Sequence, residues 1–147
     1  MTDNQSKKKY DLEERTFTFA SRAVMFCRRM PKTMVDGEIG KQLLRAATSV
    51  GANYIEANRS LGSNDFLMKV RICRKEARES GYWLRLLELN NSDLREEKEL
   101  LLKEADELVR IFGAIVTRRL KSTNPRAHIS NSKSQEPNHK LQITKSK

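Results

Sequence analysis

His128, His139, Cys27, Cys73 and a scatter of carboxylates are the first residues to weigh for reaction chemistry, and their placement argues against it. Both histidines fall after the last patterned segment of the chain. The inward Glu-x-x-His pairs that carboxylate-bridged metal bundles need therefore cannot form, and neither a metal nor any other cofactor is expected. Glu76 and Glu79 stand one helical turn apart without a histidine or a facing carboxylate, so they read as surface or pairing groups. Arg118 and Arg119 lack the nearby histidine with which some helical ribonucleases polarise a phosphodiester. Leu61-Gly62-Ser63-Asn64 precedes a helical segment but has neither the lysine nor the preceding strand of a phosphate-binding loop, and reads as a turn. Cys27 and Cys73 each sit on an apolar stripe with no activating base beside them. They read as reduced core residues of a protein in a reducing compartment, and no catalytic residue is expected.

What remains is charge. Lysine and arginine number 29 against 19 acids, a net charge of +10, which makes a polyanion or an acidic protein a natural partner. From Lys121 onward six basic residues oppose the single acid Glu136, so the tail carries part of the excess. The remainder matters by position, above all between residues 63 and 87. On a wheel turning 100° per residue, Arg71, Lys75, Arg78 and Arg85 share one side with Tyr82 among them. Arg71 with Lys75, and Arg74 with Arg78, are like charges one turn apart that repel by a few tenths of a kcal/mol, so another group must answer them. Glu97, Glu104 or Glu107 of a neighbouring helix could form a solvated lattice with them. Phosphates of a nucleic acid could answer them instead, with Tyr82 as a stacking platform and Arg45, Arg59, Arg118 and Arg119 in support. A separate strip, Met68, Ile72, Trp83 and Leu86, lies outside the core line and has the composition of a subunit interface, unless Trp83 merely widens the core.

These side chains need elements to hold them, and the apolar spacing supplies four helices. The first runs from near Asp11 to Met30, with Leu12, Phe19, Ala23, Phe26, Cys27 and Met30 inward, and Pro31 closes it. The second starts near Asp36 and turns Ile39, Leu43, Ala46, Ala47, Val50, Tyr54 and Ala57 inward. Asn53 on this helix is expected to be partly buried, and Glu56 to pair with a base of the third. Ser63 or Asn64 can cap the third helix, whose core line is Phe66, Val70, Cys73, Ala77, Ser80, Leu84 and Leu87. Asn90, Asn91 and Ser92 break it. The fourth helix turns Leu94, Leu101, Ala105, Leu108, Phe112, Ile115 and Val116 inward. No segment alternates as a strand would, so the fold expected is all-α: an antiparallel up-down-up-down four-helix bundle. The expected division is a flexible N-terminus over 1–10, the bundle over 11–122 and a disordered basic tail over 123–147. No run has the length of a membrane span and the polar start of the chain precedes no signal-type apolar segment, so a cytoplasmic protein is expected.

The string Gln42-Leu43-Leu44-Arg45-Ala46-Ala47-Thr48-Ser49-Val50, followed by Asn53-Tyr54-Ile55-Glu56-Ala57, forms a recognisable pattern. So does the stretch from Asp65-Phe66 through Lys75-Glu76-Ala77 to Tyr82-Trp83-Leu84-Arg85-Leu86-Leu87. From about Leu12 to Lys121 the chain resembles the four-helix-bundle family encoded within intervening sequences of bacterial 23S ribosomal RNA genes. That resemblance implies a ring-like homo-oligomer, often a pentamer, without catalytic activity. It is also similar to the accessory variability proteins of diversity-generating retroelements, which implies binding of a reverse transcriptase and nucleic acid through basic surfaces. Residues and resemblance together lead to a self-associating, non-enzymatic basic bundle that binds RNA or DNA. The competing expectation is a scaffold that docks an acidic or nucleic-acid-handling protein.

Overall fold

The computed structural model describes residues 11–124, which form four helices: α1 (Leu12–Arg29), α2 (Met34–Asn58), α3 (Ser63–Leu86) and α4 (Ser92–Thr123). The segments read as a flexible N-terminus and a disordered tail lie outside the described residues, except that α4 continues to Thr123 with Asn124 as its C-cap. Local chemistry sets three of the four helix starts. Asp11 accepts hydrogen bonds from the amides of Glu13 and Glu14, Thr33 from that of Asp36, and Asn91 from that of Leu94. The third start differs from the sequence expectation. Ser63 is already the first helical residue, Gly62 is the N-cap, and no side chain caps α3. The Gly62 carbonyl receives the first helical bond, from Phe66. At the other end α3 stops at Leu86, before the Asn90-Asn91-Ser92 break, and Lys98 of α4 donates to the Leu87 carbonyl at 2.7 Å.

Each helix packs on its neighbours in a closed square, α1 on α2, α2 on α3, α3 on α4 and α4 back on α1, and the diagonal pairs keep their backbones apart. Cross-helix contacts fix direction. Thr16 meets Gly51 while Met30, further along α1, meets Gly40, further back on α2. Arg74 lies against Gly113, and Phe66, earlier on α3, lies beneath Arg119, later on α4. Arg15 reaches Glu104 and Arg22 reaches Glu97. All three pairs are antiparallel, which leaves α2 and α3 antiparallel too, and the up-down-up-down bundle is complete. Phe19, Phe26, Leu43, Val50, Val70, Leu84, Leu101, Leu108 and Phe112 are fully buried at its centre. The Tyr54 and Phe112 rings meet across one diagonal, with centroids 5.7 Å apart.

The α1/α2 seam is close because α2 offers glycines there. A β-carbon at Gly51 would stand 3.2 Å from the Thr16 hydroxyl, and Thr16 is pinned, since its Oγ1 donates to the Leu12 and Glu13 carbonyls. On α3 two expectations shift. Leu67 is buried and Phe66 only half so, the reverse of the spacing argument. The Arg15–Glu104 register puts the start of α1 about level with Glu107, so among the described residues only α2 and α4 border the start of α3, and burial moves to the α4 side. Glu76, read as a surface or pairing group, is instead 7% exposed, and its Oε2 has no hydrogen-bond partner. It falls on the α2-facing flank of α3 beside Cys73 and Ser80, where the small residues of α2 allow that helix to cover it. Glu56 stays exposed, and among the described residues no ion pair reaches it.

Two pairs of stability measurements test this packing. By urea denaturation, Gly37→Ala, where a β-carbon meets nothing within 4 Å, should gain about 0.5–1 kcal/mol from helix propensity. Gly51→Ala should lose about 1 kcal/mol because rigid Thr16 cannot yield. Replacing the unpaired buried carboxylate by Glu76→Met should raise the unfolding free energy by about 1–3 kcal/mol. Glu76→Asp, which keeps the charge and opens space, should lower it.

Candidate nucleic-acid interface

The outward side of α3 carries the cations. Arg71, Arg78 and Arg85 are exposed and recur every seven residues, so they form a ladder with rungs ~10.5 Å apart along the helix. Arg74 stands beside the ladder on the side toward α4, half-buried. Its guanidinium lies over Gly113, where a β-carbon would come within 3.6 Å, and its Nε has no partner. Among the described residues no ion pair reaches Arg71, Arg74, Arg78 or Arg85.

Glu97, Glu104 and Glu107, one of the two possible answers to these cations, are engaged elsewhere. Arg15 Nε donates to Glu104 Oε1 at 2.6 Å and Nη2 to Oε2 at 3.0 Å, a two-pronged contact in which both side chains are mostly covered. The hydrogen bond to Glu104 holds the Arg15 guanidinium above its ordinary pKa, against the desolvation that opposes it. One heptad along both helices, Arg22 donates to Glu97 at 2.9 Å. Glu107 pairs with Arg110 on its own helix. Glu97 and Glu104 of α4 thus clasp α1, and of the two ways of answering the α3 cations, the lattice between α4 and α3 is not made among the described residues. The seven-residue intervals of Arg15 to Arg22 and Glu97 to Glu104 match, but Arg71, Arg78 and Arg85 keep the same interval, so the sequence pattern did not choose between them.

The other predicted contact residues divide by position. Lys75 and Arg45 both approach Glu79, each at 3.7 Å, which holds them on the side of α3 toward α2. Tyr82 is exposed and meets Trp83 edge-on at 5.0 Å. Arg119 lies 4.6 Å from the centre of the Phe66 ring, and with Arg59 and Arg118 it belongs to the end of the bundle where α2 and α4 finish and α3 begins. The structure therefore joins Arg71, Arg74, Arg78 and Arg85 in one row and leaves Arg59, Arg118 and Arg119 at the end of the bundle.

The strip assigned to a subunit interface also divides. Met68 and Leu86 are exposed, Ile72 is half-buried, and Trp83 packs partly against the core with its indole N–H buried and unpartnered. Asn53, half-buried as expected, donates to the Ser49 carbonyl. Among the described residues no three His, Cys, Asp or Glu side chains gather where a metal ion could be held. The two thiols are far from nucleophilic. Burial raises Cys27 and pushes Cys73 from the ordinary 9.0 up to about 12. No helix among the described residues is long and apolar enough to cross a membrane.

Residues 8–114 match the family described as 23S rRNA-intervening sequence protein. A crystallised protein of unknown function from the S23 ribosomal protein family of Bacteroides thetaiotaomicron is 34% identical to this chain and superposes with a TM-score of 0.61. The match covers 71% of this chain and 96% of that one. No curated protein matches.

The thiols give a measurable pH dependence. Cys73 should resist a maleimide at pH 8 in the native state and react at the rate of unfolding, well after Cys27. Because the folded pKa values exceed the unfolded ones, the folded state holds protons that the unfolded state releases. The stability that Cys73 contributes should therefore be constant below ~8.5 and fall as pH rises from there toward about 12, by up to ~1.4 kcal/mol per pH unit, with a loss of the same sign from Cys27.

Proposed function

The chain belongs to the 23S rRNA-intervening sequence protein family, and we propose that it is a non-enzymatic, self-associating basic bundle of the cytoplasm that binds RNA or DNA through α3. The observation that carries this reading is the ladder of Arg71, Arg78 and Arg85, exposed and without ion pairs among the described residues, while Glu104 and Glu97 are held by Arg15 and Arg22. A helix that keeps three uncompensated guanidinium groups on one line gains nothing from them internally. A phosphate backbone, with its own regular charge, supplies the missing partners and releases its condensed counterions as it does so. Arg74 at the edge of the row and exposed Tyr82 add a guanidinium plane and an aromatic face on which unpaired bases can stack.

None of these contacts reads a base edge in a defined geometry, so binding should be largely independent of sequence. A second reading, docking of an acidic or nucleic-acid-handling protein such as a reverse transcriptase, draws on the same cations and on exposed Met68 and Leu86 near them. One polypeptide co-purifying with the chain while nucleic acid does not would favour that reading.

Fluorescence anisotropy with a labelled single-stranded RNA and a DNA duplex tests the proposal. Affinity should fall steeply with salt, and Arg71→Glu with Arg78→Glu should weaken binding at least tenfold at low salt. The slope of log K against log salt should flatten by ~1.8 on duplex DNA and ~1.4 on a single strand, as expected for two lost phosphate contacts. Binding that ignores salt, or its absence at low salt, overturns the reading.

A further inference from the structure

At the first rung of the arginine ladder lies a hollow of about 500 Å³, within the ~300–1,000 Å³ of sites for small organic groups. Its apolar lining comes from Leu67, Met68 and Ile72 of α3 and Leu120 of α4. Leu67 is buried and Ile72 half-buried, while Met68 and Leu120 are 60% and 44% exposed, so the bundle leaves much of this lining open to solvent. Asn64 and Arg71 give it an amide and a guanidinium. Lys75, which also lines it, is paired with Glu79 and is not called upon.

Length decides what the row and the hollow can hold together. From Arg71 to Arg85 the ladder runs ~21 Å in a nearly straight line, two intervals of seven residues at ~1.5 Å each. A duplex turns once in ~34–36 Å, so over that length each strand winds through more than half a turn and leaves a straight row. It also keeps its bases stacked inside, out of reach of the hollow. A single strand is free to follow the row and to turn a base outward. Arg71 is both the first rung and a wall of the hollow, so a nucleotide whose phosphate lies on Arg71 has its base beside that hollow. From this juxtaposition of straight ladder and apolar hollow we infer that the site takes single-stranded nucleic acid, with one unpaired base seated against Met68, Ile72 and Leu120 and the phosphates running from Arg71 toward Arg85. The inference rests on the nucleic-acid part of the reading above and not on its self-association part.

The chemistry of the lining fits that occupant. A base has flat apolar faces and a polar edge, and contact with Met68, Ile72 and Leu120 takes those faces out of water. The Met68 thioether is polarisable and adapts to the face of a ring. Asn64 carries both a donor and an acceptor, so its amide can meet the edge of any base, and the hollow keeps the tolerance of sequence expected of the ladder. Among the described residues no acid lines the hollow, so nothing in it opposes a phosphate on Arg71. Tyr82, exposed between the levels of Arg78 and Arg85, offers a further face along the same strand.

Anisotropy on the full chain tests this with three labelled DNAs of equal length: an intact single strand of mixed sequence, the same strand without its bases, and the duplex. The intact strand should bind at least tenfold more tightly than the abasic one, whose phosphates are the same, and more tightly than the duplex. Met68→Gln with Leu120→Gln, at two exposed positions and without change of charge, should weaken binding of the intact strand about tenfold. Binding of the duplex and the abasic strand, and the slope of log K against log salt, should stay as in the wild type, which also shows that the variant is folded. Equal binding of intact and abasic strands, preference for the duplex, or a variant that shifts all three alike or none of them overturns the inference and leaves phosphate binding by the ladder standing. A variant that lowers the sedimenting mass while single-strand binding persists gives the hollow to a second copy and also overturns it. Binding of none of the three at low salt overturns the nucleic-acid reading as well.

Discussion

The pairing of Arg15 with Glu104 and of Arg22 with Glu97 decides how the rest of the charge in this bundle is distributed. The two contacts sit one heptad apart on both helices, so they lock the register of α1 against α4 as well as joining them. The groups are mostly covered but not dry, which limits their cost in desolvation, and the two-pronged geometry at Glu104 offsets part of it. Once these acids face α1, they are turned from α3, and among the described residues no acid pairs with Arg71, Arg74, Arg78 or Arg85.

That allocation explains why α3 differs from its neighbours. α1 is tied to α2 by glycine-mediated closeness and to α4 by ion pairs, and α4 reaches across the core with Phe112. The third helix also buries a core line, from Leu67 to Leu84, but its opposite surface keeps an arginine row and an apolar hollow, neither of which the bundle satisfies. A helix that pairs like charges with one another and exposes Met68 and Leu86 is poorly suited to being only a structural element. In the reading proposed above its outward cations serve a partner outside the bundle, and their heptad spacing means that one straight helix presents them in a row.

The buried Glu76 has a different character. It occupies a position where the helical period calls for a residue at the margin of the core, and close packing of α2 turns that margin inward. No group among the described residues pairs its Oε2. The charge contributes to neither the ladder nor the hollow, and no role for it emerges from its surroundings.

Helix number, the antiparallel bundle and most core positions follow from the residues alone, because the period of 3.6 and short connections leave few other ways to bury a chain with a third of its residues charged. The helix start near Asp11 and the inward line from Val70 to Leu84 were legible in the same way. Arg71, Arg78 and Arg85 could be placed on one side of a helix because that is an intrahelical fact. Which acids meet which bases could not be read, since Glu97 and Glu104 are equally near in sequence pattern to the cations of α3 and of α1. Only the packed bundle chooses between them. The same limit applies to Glu76, Leu67 and Trp83, whose burial depends on how far a neighbouring helix extends and how closely it approaches. Periodicity fixes the direction of a side chain from its own axis, and the tertiary structure alone decides what stands in that direction.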